Sequence, residues 1–147
     1  GLVALCMDDQ GMPETVKARV SIACRLAEEL TKAGLAAKDI FIDPMLSPVS
    51  TGDTAGADAL RTIHEIRCAL PECHITCGLS NISFGLPARA YINRVFLIAA
   101  MSAGLDSAIA NPLDKELNIV TDFLTNRLLL RKGKLRTHYL GCGFFFC

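Results

Sequence analysis

No excess of charge of one sign is present: 15 basic residues stand against 15 acidic ones, for a formal net charge of zero. No overall field steers the chain onto a polyanion or an anionic membrane, so neither nucleic acid nor membrane is an expected partner. No apolar run approaches the length of a bilayer span, and Gly1 to Met7 are too few and too uncharged for a signal peptide. The expectation is a soluble, cytoplasmic chain. Phosphate-binding signatures are missing as well. Gly78 and Gly85 do not form a dinucleotide fingerprint, and no Gly-Lys-Ser/Thr occurs. His64 and His74 have no Ser, Cys or Asp partner at a recognisable motif spacing, which removes support for acyl transfer.

Seven cysteines make an odd number for paired disulfides, and most sit inside apolar runs. Reduced, buried thiols are the expected state. The best approach to a zinc-ligand spacing is Cys73, His74 and Cys77, in a stretch that reads as strand, and it is a poor one. No metal is expected.

Hydrophobic residues make up 51% of the sequence, enough for a core and incompatible with a disordered tail. Short β-like runs end at Leu2 to Met7, Ile40 to Ile42, Ile75 to Gly78 and Ala108 to Ala110, each followed by a polar or Gly/Pro-containing loop and then a helical pattern. Val16, Val20, Ala23, Ala27 and Leu30 mark the first helix, with Pro13 near its start and Gly34 past its end. Leu60, Ile63, Ile66 and Leu70 mark a second, stopped by Pro71. A third runs from about Ala88 to Ala103 with Ile92, Val95, Phe96 and Ala99 inward and Gly104 as its stop, and Leu117, Val120, Leu124 and Leu128 mark a fourth.

Taking Met7, Asp43, Gly78 and Asn111 as equivalent strand ends, the repeats are about 36, 35 and 33 residues, the spacing of successive βα units. The fold class is α/β. Periodicity leaves open a small doubly wound sheet or half of an eight-fold barrel. Polar loops follow every strand end: Asp8-Asp9-Gln10-Gly11, Asp43-Pro44, Ser80-Asn81, and Asn111-Pro112 with Asp114. Ligands of parallel sheets gather at that end, because the loops converge there.

Several separated segments then point to one family. They are Cys6-Met7-Asp8-Asp9-Gln10-Gly11-Met12-Pro13, Ile42-Asp43-Pro44, Gly78-Leu79-Ser80-Asn81-Ile82-Ser83-Phe84-Gly85, Asn93-Arg94-Val95-Phe96-Leu97 and Gly104-Leu105-Asp106-Ser107-Ala108-Ile109-Ala110. In this order, over roughly Leu2 to Leu124, the chain resembles the pterin-binding methyltransferases that use methyltetrahydrofolate and a corrinoid protein. That resemblance implies the C-terminal half, about four βα units, of a (β/α)₈ TIM barrel. Residues 1–127 are read as the pterin-binding segment and 128–147 as an unassigned tail. The family's further pterin-contacting acid and asparagine come from earlier strands, so the sequence reads as part of a longer barrel, with a homodimer of two halves as the alternative.

The resemblance also implies the site. Asp43 matches the aspartate that hydrogen-bonds the pterin, where an acceptor-only carboxylate suits a row of N–H donors. Its bland alternative is a cap on the Pro44 turn. Asn81 matches the asparagine beside N5, a neutral donor able to strengthen its hydrogen bond as N5 gains electrons. Gly78 and Ser80 belong to the same motif, the first letting the ring approach the backbone and the second offering a hydroxyl. Asn111 and Asp114 are read as rim or capping residues, and Arg94 as a structural ion pair as readily as a ligand contact. The implied reaction moves the N5-methyl group of methyltetrahydrofolate, the substrate, to the cobalt of a cobalamin or other corrinoid carried by a partner protein or domain. A dihydropteroate synthase-like enzyme and a non-catalytic half-barrel are the alternatives; the first expels pyrophosphate and calls for basic groups near the last strands.

Overall fold

The computed structural model describes residues 1–124 and the backbone of two later strands, Thr137–Leu140 and Gly143–Phe146. Three parallel strands, β1 (Leu2–Leu5), β2 (Ile40–Asp43) and β3 (His74–Ile75), pair in sequential order. The register sets Leu5 against Asp43 and Phe41 against His74. A fourth parallel segment joins β3's side: Gly78 bridges Ile109, Ser107 N donates to Ile75 O at 3.1 Å and Ile109 N to Cys77 O at 2.8 Å. Helices α1 (Val16–Lys32), α2 (Ala55–Ala69), α3 (Arg89–Ala103) and α4 (Lys115–Phe123) follow the four strand segments in turn. Four βα units are thus present, as their spacing predicts.

Alternation along the strands sorts the two faces of the sheet. Ala4 and Cys6, Ile40 and Ile42, Ile75 and Cys77, and Ala108 and Ala110 are all buried in one cluster with Ala23 and Ala27 of α1, Ile63 and Ile66 of α2, and Phe96 and Leu97 of α3. On the opposite face Val3, Leu5 and Ile109 remain 42%, 42% and 45% exposed, so no described element covers it there. A doubly wound sheet reverses strand order at a switch point and carries helices on both faces. The described strands instead keep sequential order and carry their helices on one face, a parallel α/β arrangement.

The helix ends obey local chemistry. Thr15 caps α1, its Oγ1 accepting from Ala18 N at 3.2 Å, and Gly34 beyond the C-terminus takes φ 96°. The α2 helix ends at Ala69, before Pro71. In α3 the inward residues are Phe96, Leu97, Ala100 and Met101, whereas Val95 is 67% exposed, contrary to its expected place on the buried stripe. The helix is apolar on several sides, with Tyr91, Val95 and Ile98 all turned outward, so periodicity alone selects no single face.

A clamp at the strand N-terminal end holds the last two units together. Arg67 donates to the carbonyls of Pro71, Cys73 and Gly104 and to Asp106 at 2.7 Å, while Asp106 accepts from Ile75 N at 2.8 Å and lies 3.0 Å from His74 Nδ1. A Cβ at Gly104, where φ is 120°, would stand 2.8 Å from Arg67 Cβ, so glycine is required there for two reasons. His74 also stacks on Phe41, with ring centroids 4.6 Å apart. It is a packing residue, and no group of three or more metal-ligating side chains occurs among the described residues.

Thr137–Leu140 and Gly143–Phe146 pair as antiparallel strands, Thr137 against Phe146 and Leu140 against Gly143. The tail, for which the sequence offers no recognised pattern, therefore contains a strand pair, and the Phe144 to Phe146 run is part of it. The Leu128 position of the expected fourth helical stripe lies outside the described residues.

Candidate functional site

The two expected site segments occupy the same end of the sheet, the carboxyl ends of the strands. Asp43 is the last residue of β2 and is half-buried. Its Oδ1 accepts from Met45 N at 2.8 Å, closing a turn in which Met45 takes φ 58°. The capping role is thus real, and it uses one carboxylate oxygen; Oδ2 has no hydrogen bond and no cation lies within pairing distance among the described residues. Burial raises the Asp43 carboxyl above its ordinary range, opposed by the Met45 N–H. An acceptor with a free oxygen and no intramolecular cation is ready for an external N–H donor.

Gly78, Ser80 and Asn81 enter a 3₁₀ turn, Leu79–Ser83, directly after the third strand segment. Leu79 and Ile82 are buried, which anchors the turn and leaves Ser80 and Asn81 exposed between them. Neither the Asn81 side-chain amide nor the Ser80 hydroxyl has a hydrogen-bond partner among the described residues. Gly78 has an ordinary backbone, φ −73°, so its lack of a side chain serves space rather than strain. A Cβ there would come within 3.2 Å of Asn81 Nδ2. The glycine makes room for the amide.

These three residues line one open cleft of about 550 Å³ with Ile109, Asn111 and Leu113. Asp43 is not part of that lining; it sits one strand over at the same sheet end. Asn111 folds back to accept from Leu113 N at 3.0 Å and lines the rim as expected. Asp114 caps α4, its Oδ1 accepting from Leu117 N at 3.0 Å, and pairs with Arg94 at 2.8 Å. Arg94 also pairs with Glu116. Its role is the structural ion pair.

Two supports escaped the sequence reading. Arg89 donates through Nη2 to Ser80 O at 2.8 Å and through Nε to Ser83 Oγ at 3.1 Å, fixing the turn that carries Asn81, and its guanidinium lies 5.9 Å from the Phe84 ring centroid. Ser50 Oγ donates to Phe84 O at 3.1 Å, tying the loop that begins at Asp43 to that same turn. No periodicity marks either residue, because both act through backbone carbonyls of a loop.

Five cysteines are free among the described residues. Cys6, Cys73 and Cys77 are buried, as expected, but Cys68 is exposed and lies 3.7 Å from His64. Burial pushes the Cys6 thiol up to about 12, with the Asp43 charge a smaller contribution, and raises Cys77 by the same causes. Inert thiols beneath the site are the consequence.

Comparison with known proteins identifies the family. The profile of the pterin binding enzyme family matches residues 2–111. The methylcorrinoid:tetrahydrofolate methyltransferase of Eubacterium limosum is 39% identical over 128 residues, which cover 87% of this chain and 47% of that protein. The methionine synthase of Mycobacterium tuberculosis is 38% identical over 117 residues, covering 75% of this chain and 10% of the synthase, and that of Mycobacterium leprae is 39% identical over the same length. The chain therefore spans about half the length of the first relative and a tenth of the synthases.

Proposed function

The chain belongs to the family of pterin binding enzymes, and we propose that it carries the folate side of methyl transfer between methyltetrahydrofolate and the cobalt of a corrinoid protein. The observation that carries the reading is Asn81: a neutral amide, free of side-chain hydrogen bonds among the described residues, presented at a strand end beside a glycine that leaves it room. In the transfer the N5–CH₃ bond breaks with its electron pair left on N5, the methyl group joins cobalt(I), and N5 takes up a proton from solvent. Asn81 Nδ2 donates to N5 as that pair develops, an interaction stronger in the transition state than in the bound substrate. Asp43 Oδ2 accepts from the pterin's N–H edge and orients the ring. Gly78 and Ser80 complete the pterin contact. The corrinoid, held by its own protein or domain, supplies the cobalt chemistry.

The name of the Eubacterium limosum relative runs the transfer from methylcorrinoid to tetrahydrofolate. One transition state serves both directions, so the same residues suit either. Among the described residues the cleft is lined by Ser80, Asn81 and Asn111 rather than by basic side chains, which favours methyl transfer over a reaction that expels pyrophosphate. Sequential strands, one helix-covered face and an open opposite face support placing residues 1–127 as the C-terminal half of a (β/α)₈ barrel whose remaining strands close over Val3, Leu5 and Ile109. Free thiols support a cytoplasmic setting.

The test is Asn81→Ala, assayed for methyl transfer to cobalt(I) and for methyltetrahydrofolate affinity. By analogy with the loss of a single oxyanion donor, the rate should fall by roughly 10²–10³ while affinity changes little. Equal losses in rate and affinity would mean that the amide contributes only uniform binding.

A further inference from the structure

Arg19, in the first turn of α1, is only 6% exposed. Its Nε donates to Pro13 O at 2.9 Å and its Nη2 to Ser47 Oγ at 3.2 Å. Nη1 has no partner, and no carboxylate lies within ion-pairing distance of the guanidinium, among the described residues. Buried charges in proteins are ordinarily paired, because an unpaired one keeps its desolvation cost without any Coulombic return. Among the described residues the other buried or half-buried arginines obey that rule: Arg67 pairs with Asp106 and Arg94 with Asp114. Arg19 is the exception, and it faces a cavity.

That cavity, about 360 Å³, opens between the loop after β1 and the loop after β2, at the strand carboxyl ends where Asp43 and Asn81 lie. Arg19 and Ser47 line it together with Thr54, the N-cap of the 15-residue α2 helix, whose side chain caps no helical N–H. Donors therefore converge on it from a guanidinium, hydroxyls and a helix N-terminus, the usual composition of an oxyanion site. Glu14 and Asp58 also line it. Glu14 is exposed and Asp58 half-buried, so solvent weakens their repulsion of an anion bonded to the buried guanidinium.

We propose that this cavity receives a carboxylate of the folate substrate, the glutamate end of the tail that follows the pterin and aminobenzoyl rings. The inference rests on the proposed folate function. Ser47, which holds the guanidinium, lies four residues beyond Asp43, a separation of at most roughly 14 Å along the chain, and the aminobenzoyl-glutamate tail of a pterin held at Asp43 can bridge it. A charge-assisted bond to a planar guanidinium would also set the tail's direction.

Calorimetric titration with two probes tests this: methyltetrahydrofolate, and a 5-methyltetrahydropterin lacking the aminobenzoyl-glutamate tail. The wild-type protein should bind the folate roughly tenfold or more tighter than the tail-less probe. Arg19→Gln should abolish that preference by weakening the folate alone; Arg19→Lys, which keeps the charge but loses the planar fork, should retain part of it. Equal weakening of both probes by Arg19→Gln would overturn the proposal and leave Arg19 as a loop staple. Should Arg19→Gln not fold, the wild-type comparison still decides: equal affinity for the two probes refutes the carboxylate site while leaving pterin binding intact. Binding of neither probe refutes the folate reading and this inference together.

Discussion

Replacing Gly78 with alanine separates the chemistry of the site from the stability of the fold. The backbone at Gly78, with φ −73°, accepts an alanine without strain. Removing a glycine at such a position stabilises by about 0.4–1 kcal/mol through the unfolded chain. Against this stands one contact: the new Cβ would lie 3.2 Å from Asn81 Nδ2, a few tenths of an ångström inside ordinary van der Waals distance. Asn81 is exposed and its amide is unbonded among the described residues, so that side chain yields rather than the framework. The net stability change should stay within about 1 kcal/mol. The displaced amide is the group assigned to N5, and a misplacement of about 1 Å at a reacting centre can cost about 10²-fold. A shift of this smaller size should lower methyl transfer by about tenfold, with a lesser loss of folate affinity. Urea unfolding gives the first quantity, single-turnover transfer to cobalt(I) the second and calorimetry the third. An unchanged transfer rate would refute the assignment of Asn81's position as rate-setting, and a collapse in stability would refute the claim that only a free side chain is in the way.

Asp43→Asn should weaken pterin binding while leaving the turn intact, since the amide oxygen still accepts from Met45 N. Burial raises the native Asp43 carboxyl, so its contribution to stability is greatest below the unfolded aspartate range and is lost as pH rises through the raised native value; the stability of wild type relative to Asp43→Asn should fall across that window, and a flat difference would contradict the cause given. Asp106→Asn removes the charge that Arg67 and His74 share and should destabilise by about 1–3 kcal/mol, measured by urea unfolding, without altering the pterin end of the sheet. In the native protein a thiol-exchange reagent should modify Cys68 rapidly and Cys6 and Cys77 only as fast as the chain opens, with peptide mapping to assign each; fast labelling of Cys6 would contradict its burial and its thiol being pushed up to about 12.

The αβ alternation was readable because strand and helix impose different periods, and breakers such as Pro71, Gly34 and Gly104 stand where those periods end. Sheet order was not readable, since a run such as Ile40 to Ile42 is apolar whether it pairs with β1, β3 or both. Val95 shows a second limit: on a helix apolar around most of its surface, the buried stripe is chosen by the sheet and the neighbouring helix rather than by the helix's own sequence. At the candidate site, Asp43, Gly78, Ser80 and Asn81 were proposed because a sequence motif carries them. Arg89, Ser50 and Arg19 could not, because each is defined by what it touches across the fold, carbonyls of Ser80, Phe84 and Pro13, and no spacing encodes those meetings.

The measurement that reads the central claim most directly is calorimetric titration of the protein with methyltetrahydrofolate, its oligomeric state followed by light scattering in the same buffer, alongside Asp43→Asn. The account predicts saturable binding by a defined assembly, weakened in the variant. Binding of equal strength in both proteins, or none by a folded and monodisperse wild type, would contradict it.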